Sequence, residues 1–447
     1  MLERFKVPEK DRVYVPVERI RAATEGILRH NGVSETDAAS SADVLIKNDL
    51  RGVESHGVSN GLRRYVAEYG EKKLNPTPEY KIVRESKTTM TIDADGALGI
   101  HVGPWAMQQA IDKAKEFGMA AVAVRNSGHL AGCGYYAMMA ADQGMIGHCM
   151  TAGGSHQTVP PFGSKPVMGT NPVAWAAPAR NMPPFLFDIA TTQVANNKIG
   201  LARRTGAKIE GGWITDLEGE PILEEIYPPD TGDYYLLHIG GTRENGSHKG
   251  FGLALMNEII CNELSGYGPG PVQGTPGGHF FQAYDIEAFT DTEKFKDDMD
   301  DLLQHIVNVP PAKGFDRVLY AGLMEDEDEK KRLKEGIPYH KEVVDWFESY
   351  CAEAGIDCDL RPATCDRQLL PHPNPLPGER ELTIPPPHRA IRTIFPATSS
   401  KIALARNIRL SLGSNEWLKP RSSPATMVRT TSRATSFLLM EKATSWS

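Results

Sequence analysis

Gly132-Cys133-Gly134-Tyr135-Tyr136-Ala137 is the stretch on which the reading of the fold turns. It fits the pattern G-x-G-x-x-A. It stands between Ala120 to Val124, which reads as a short buried strand, and Gly134 to Gln143, which reads as a helix ended by Gly144. A dinucleotide-binding βαβ unit has that context, but it also needs an acidic residue about 20 positions on, at the end of the next strand, for a ribose hydroxyl. The next strand here, Met145 to Thr151, runs into Ala152-Gly153-Gly154 and offers no carboxylate. The spacing argues against a standard Rossmann half.

Working outward, Val17, Ile20, Ala23, Ile27 and Leu28 recur at helical spacing, and Asn31-Gly32 closes that helix. Ser34 is the N-cap of a second, and the helical reading continues to residue 70. Thr89, Thr91 and Asp93 alternate with Met90 and Ile92 as a strand does, and Asp95-Gly96 is a turn signal. Pro104 to Phe117 reads as a helix ended by Gly118. Residues 155–185 hold several prolines among short apolar runs such as Val173 to Ala177, which predicts irregular walls joined by strands. Pro184 to Ile189 reads as a strand, Gly250 to Leu264 as an apolar helix ended near Gly266, and Asp291 to Val307 as a surface helix. The charged run Met324 to Lys334 reads as a solvated helical face.

Composition bounds the function. The 447 residues, 40% hydrophobic and 24% charged, are ordinary for a soluble globular protein of two or three packed parts. The six cysteines lack any C-x-x-C pair and read as reduced thiols. The chain start shows no basic stretch followed by an apolar block, and no apolar run is long enough for a membrane span, so the expected location is the cytoplasm, with no membrane partner. The net charge of -8 hides a basic tail: from Arg361 onward there are 13 Lys+Arg against 5 Asp+Glu, so the body is near -16. An acidic body argues against nucleic acid as partner. The stretch Pro371 to Pro387 contains seven prolines, and the residues after Pro387 keep no helical or strand period, so 361–447 is expected to be a disordered tail.

Three histidines stand in glycine-flanked loops at the mouths of helices: Ser55-His56-Gly57-Val58, Ser127-Gly128-His129-Leu130, and Ser247-His248-Lys249-Gly250-Phe251-Gly252. Histidine titrates nearest neutrality, and helix N-termini favour anions. At His248-Lys249-Gly250 a lysine and free backbone amides meet where a phosphate or carboxylate could bind, although a solvated lysine after a flexible loop accounts for the same residues. A metal site remains open from the residues alone, with Asp188 or Glu258 joining the histidines, but there is no H-E-x-x-H or H-x-H. Serine nucleophilic catalysis reads poorly: no G-x-S-x-G occurs, and Ser55 and His56, as neighbours on a strand or helix start, are expected to point apart.

Five stretches in this order resemble the type-2 malate/L-lactate dehydrogenase family, which includes ureidoglycolate, sulfolactate and 2,3-diketogulonate dehydrogenases and the piperideine-carboxylate reductases. They are Asp49-Leu50-Arg51-Gly52-Val53-Glu54-Ser55-His56-Gly57-Val58, Asn126-Ser127-Gly128-His129, Gly169-Thr170-Asn171-Pro172, Phe187-Asp188-Ile189-Ala190-Thr191-Thr192, and His248-Lys249-Gly250-Phe251-Gly252-Leu253-Ala254-Leu255, and the match spans residues 15–355.

The resemblance implies an α+β, non-Rossmann NAD(P)-binding fold with a largely antiparallel central sheet and a helical layer from both chain ends. Its parts would be 1–120 for substrate and dimerisation, 121–275 for cofactor, 276–360 returning to the first, and 361–447 the tail. It implies a homodimer that transfers hydride between NAD or NADP and a small 2-hydroxy or 2-oxo acid. His56 would exchange the proton at the substrate oxygen, helped by Ser55, and His129 would lie by the cofactor with an acid/base role. Asp188, Ile189, Ala190, His248, Lys249 and Gly250 would contact the cofactor, Arg64, Thr170 and Asn171 the substrate, and no metal is expected. A metal-dependent hydrolase or lyase using the same histidines, and a cofactor-binding protein without turnover, are the other readings.

The chain departs from the family pattern. The position of the family's carboxylate-holding arginine is Asn60, with Arg63 and Arg64 shortly after, and Lys198 stands near where some members carry a relay acid. The segment Ile222 to Gly246 is longer than usual, and Ala321-Gly322-Leu323-Met324-Glu325 matches a family cofactor loop only loosely.

Overall fold

Strand β1 (Arg12–Val15) leads through Pro16 into α1 (Val17–His30), whose apolar stripe is buried at Val17, Ile20, Ala23, Ile27 and Leu28. Burying such side chains is worth roughly 1.5 to 3 kcal/mol each, which far outweighs the intrinsic preference of a short helix. Ser34 caps α2 (Glu35–Leu50) by accepting from the Asp37 N–H at 3.1 Å, as its position predicts. Helix α3 (Val58–Gly70) follows, and then β2 (Lys81–Glu85) and β3 (Thr89–Ala97). Helix α4 spans Gly99–Phe117 and ends at left-handed Gly118. The start expected at Pro104 is corrected: the helix opens more than a turn earlier, and Pro104 sits inside it.

The chain continues through β4 (Met119–Ser127), α5 (Gly134–Ala141), β5 (Met145–Ala152), β6 (Val173–Ala177), β7 (Phe185–Ile189), α6 (Asn196–Thr205), β8 (Ile214–Thr215), β9 (Tyr235–Leu236) and α7 (Ser247–Glu258). Helix α7 passes into a turn of π-helix, Ile259–Glu263, rather than running on to Leu264 as one α-helix. The remaining elements are α8 (Gly270–Gln273), β10 (Gly277–Asp285), α9 (Thr292–Val307), α10 (Leu323–Glu335), β11 (Ile337–His340) and α11 (Lys341–Ala354). This computed structural model describes residues 5–153, 156–274 and 277–361, all within one unit, Met1–Arg367. The disordered tail expected from the sequence lies, Arg361 apart, outside the described residues.

The main sheet has seven strands in the order β2-β3-β4-β10-β5-β6-β7. Only β3 and β4 pair in parallel, and every other neighbouring pair is antiparallel. Strand β10 enters the sheet between β4 and β5, which puts the end of the chain's middle section at its centre. The beginning and end of the described part meet where β1 pairs with β11, Val15 opposite Ile337, and one apolar core runs from α1 to α3 through α4 and α5 to Val343, Val344 and Phe347 of α11. The result is a mixed α+β fold in which α1 packs against α11.

Candidate active site

The site is built on the turn Glu54–His56 that joins α2 to α3, and a buried charge network holds that turn. Arg332 of α10 places its guanidinium 2.7 Å from Glu54 Oε1 and donates to the Asp49 carbonyl at 2.7 Å. The Asp49 carboxylate accepts from the Val58 N–H at 2.9 Å and from the Tyr339 hydroxyl at 2.7 Å. Burial pushes the Asp49 carboxyl up to about 7 in spite of these donors. Gly57 is required by close approach, since a Cβ there would stand 1.7 Å from Asp49 Oδ1.

This geometry aims His56. Ser55 Oγ lies 2.9 Å from His56 Nδ1, and Asn197 at the start of α6 donates to the Ser55 carbonyl at 2.6 Å. The expectation that these neighbouring side chains point apart is therefore corrected: in the short 3₁₀ turn Glu54–His56 the Ser55 hydroxyl reaches the imidazole of the next residue.

His129 faces His56, the rings nearly parallel at 14° with centroids 5.9 Å apart. Its loop rests on the start of α4, where a Cβ on Gly99 would meet the His129 carbonyl oxygen at 2.8 Å. The Ala131 N–H, which can only donate, lies 3.3 Å from His129 Nδ1, so that nitrogen accepts and the Tyr65 hydroxyl donates to it at 2.6 Å. The ring proton of neutral His129 is thereby assigned to Nε2.

Both imidazoles are held neutral. Burial, then the charges of Arg64 and Lys198, pull His56 down to about 4. Burial, then Arg64, pull His129 well below the ordinary 6.5. Asp188 on β7 accepts from the Gly134 N–H at 2.6 Å, and burial raises its carboxyl to about 6. Glu325, in the first turn of α10, adds its field to both Asp188 and Lys198, and its loop docks on β7 where the Leu186 N–H donates to the Ala321 carbonyl at 3.0 Å. His56, His129 and Lys198 are partly exposed and Asp188 is exposed, so a small molecule can reach all four.

The other expected residues form a neighbouring wall. The Thr170 carbonyl accepts from the Thr191 N–H at 2.9 Å, and the Thr191 carbonyl accepts from the Ile239 N–H at 3.0 Å, which ties the stretch holding Asp188, Ile189 and Ala190 to the approach to α7. Gly250 packs on that approach, where a Cβ would meet the Ile239 carbonyl oxygen at 2.4 Å. Asn171 is buried and spends its amide on the Ala254 carbonyl at 3.0 Å and on Glu258 at 3.3 Å, so it fastens the loop to α7. Lys249 is exposed, and His248 Nδ1 lies 3.0 Å from the Arg243 guanidinium. Among the described residues no hydrogen bond or ring contact links His248 or Lys249 to the histidine pair.

Arg64 stacks 5.1 Å over the Tyr65 ring and pairs loosely with Glu68 at 3.6 Å. With Asn60, Arg63 and Arg204 it lines a cavity of about 310 Å³ beside the His56 turn. Tyr65, Asn197 and Arg332 are site-forming residues that the sequence alone does not single out. Tyr65 shares a helical face with buried Leu62 and Tyr69, and that pattern reads as core. Among the described residues no group of three or more His, Cys, Asp or Glu side chains is gathered as a metal site would require.

The sequence profile of the malate/L-lactate dehydrogenase family matches residues 15–348. This chain belongs to that family. It is 39% identical over 366 residues to a malate dehydrogenase of Pyrococcus abyssi, covering 80% of this chain and 99% of that one. It is 36% identical over 342 residues to an L-sulfolactate dehydrogenase of Methanocaldococcus jannaschii, covering 74% and 95%. The solved malate dehydrogenase of Pyrococcus horikoshii superposes with a TM-score of 0.71 at 34% identity over 79% of this chain and 98% of that one. Family membership makes this enzyme a dehydrogenase of small 2-hydroxy acids, so the hydrolase, lyase and non-enzymatic readings fall.

Proposed function

We propose that this dehydrogenase interconverts a malate- or lactate-like 2-hydroxy acid and its 2-oxo acid, with NAD or NADP as the hydride carrier on a non-Rossmann fold. The stacked pair His56 and His129, held by Ser55 and Tyr65 in one cleft, carries the reading. A bound nicotinamide supplies the hydride acceptor. His56, neutral well below pH 7, takes the hydroxyl proton at Nε2 as its Nδ1–H donates to Ser55 Oγ, and it returns the proton in the reverse direction. His129 presents Nε2–H as a donor at the cofactor side of the same space.

The cofactor's place is supported by a helix start without a side-chain cap, Gly246 to Lys249, with Lys249 and Arg243 beside it. A helix N-terminus with nearby cations suits a diphosphate. Asp188 offers a carboxylate for ribose hydroxyls, with Ile189, Ala190, His248 and Gly250 completing the wall. Thr170 and Asn171 would shape the substrate end and Arg64 would add positive charge there. The proposed division into 1–120, 121–275 and 276–360 places the catalytic turn in the first part and this wall in the second. A cytoplasmic homodimer fits the exposed apolar side chains Met119, Trp175 and Phe187 on the sheet, and no helix among the described residues is long and apolar enough to cross a membrane.

The test is nicotinamide absorbance at 340 nm over a panel of 2-oxo acids with NADH and NADPH, with and without a chelator. Chelator-insensitive oxidation of either nucleotide by at least one acid is the expected result. No turnover with any acid would overturn the proposal.

A further inference from the structure

A hydroxy acid whose hydroxyl faces His56 carries its carboxylate one bond further on, and the cleft must pair that charge. Two cations act on the His56 ring, Arg64 and Lys198. Arg64 is already engaged: it covers the Tyr65 ring, faces Glu68, and keeps 42% of its side chain exposed. Lys198 differs in each respect. It is partly buried, its ammonium makes no hydrogen bond or ion pair among the described residues, and the one carboxylate whose field reaches it is Glu325. An ammonium drawn out of water without a partner is unfavourable, and it is relieved by an anion brought into the cleft.

Its place is fixed independently. Lys198 lies in the first turn of α6, one residue after Asn197, whose amide holds the Ser55 carbonyl at 2.6 Å. The same hydrogen bond that locates the catalytic turn therefore locates the base of the lysine. From these observations, and resting on the function proposed above, we infer that Lys198 is the substrate-anion anchor: its ammonium binds the C1 carboxylate of the 2-hydroxy or 2-oxo acid and sets the acid's C2 oxygen against His56.

The test compares wild type with Lys198→Met and Lys198→Arg on the best 2-oxo acid of the panel and on its C1 methyl ester, which has the same carbonyl and no charge. Loss of one charge-assisted hydrogen bond predicts that Lys198→Met lowers kcat/KM for the acid by roughly tenfold to a hundredfold. The ester should change less than about threefold, Lys198→Arg should recover part of the loss, and the dissociation constant of the reduced nucleotide should stay within about twofold. An equal fall for acid and ester, or no fall for the acid, would overturn the assignment while leaving the dehydrogenase reading intact. A change confined to nucleotide binding would place Lys198 at the cofactor and also overturn it. A wild type that turns over no acid would overturn the function and the anchor together.

Discussion

Arg332→Met tests whether the buried charge network holds the catalytic turn. In the native protein the Arg332 and Glu54 side chains are only 10% and 8% exposed, with a nitrogen to oxygen distance of 2.7 Å. Methionine keeps the bulk but leaves Glu54 buried and unpaired and removes the donor to the Asp49 carbonyl. Breaking one side of a buried pair costs about 3 to 5 kcal/mol. Guanidinium unfolding at pH 7 should show that loss with an unchanged m-value. Adding Glu54→Gln to the variant removes the stranded charge and should recover about half the loss, whereas Glu54→Gln alone should cost less than Arg332→Met. The pH dependence has a definite sign. Burial already raises the Glu54 carboxyl above its ordinary 4.5 and Arg332 opposes that rise, so without Arg332 the folded protein favours the protonated acid still more. The deficit of the single variant should therefore shrink as the solution is acidified and grow as pH rises. A loss below about 1 kcal/mol, or strictly additive effects of the two substitutions, would refute the reasoning.

Four further outcomes are expected. His56→Ala should lower kcat by about 10²-fold with little change in nucleotide affinity, and a kcat near wild type would pass its role to His129. Tyr65→Phe removes the 2.6 Å hydrogen bond that orients His129, so kcat should fall by roughly twofold to tenfold while stability drops by no more than about 1.5 kcal/mol. In oxidation of the hydroxy acid, kcat/KM should hold as pH falls from 7 and drop only near His56's value of about 4, and Lys198→Met should move that limb upward toward 6.5. Lys249→Ala should weaken cofactor binding by about one to two orders of magnitude, with wild-type affinity the more salt-sensitive of the two, and equal dissociation constants at low ionic strength would remove Lys249 from the site.

Local patterns are legible in the sequence where one segment supplies its own evidence. The stripe of α1, the Ser34 cap and the Gly118 stop each appear in the structure where their chemistry requires. The central strand β10 escapes that reading. It opens on Gly277-Gly278, and its alternation of buried Phe281 and Ala283 with partly exposed Phe280, Gln282 and Tyr284 is short and aromatic-rich. Nothing local says that it lies between β4 and β5, more than a hundred residues earlier, since pairing partners are set by the whole sheet. The G-x-G-x-x-A stretch shows the same limit. Gly134 does approach a carboxylate closely, but that carboxylate is Asp188 on β7 and it accepts the glycine's own N–H.

The site divides along the same line. His56 and His129 each announce themselves through loop chemistry, yet their opposition depends on α3, which carries His56 at its entrance and Tyr65 toward His129 two turns later. Lys198 is legible as a cation and illegible as a partnerless one, because the lack of a partner for its ammonium is a property of the fold around it. Beside the family pattern it reads only as a residue unable to replace a relay acid. In the structure its charge helps hold His56 neutral before substrate enters, and an anion bound to it would cancel that field and make the protonated imidazolium easier to form. Substrate binding would thus move His56's affinity for a proton upward at the moment the ring has to accept one. That coupling needs the cation to be near the base and otherwise unpaired, which is the arrangement that Asn197 and the Glu54–His56 turn create between them.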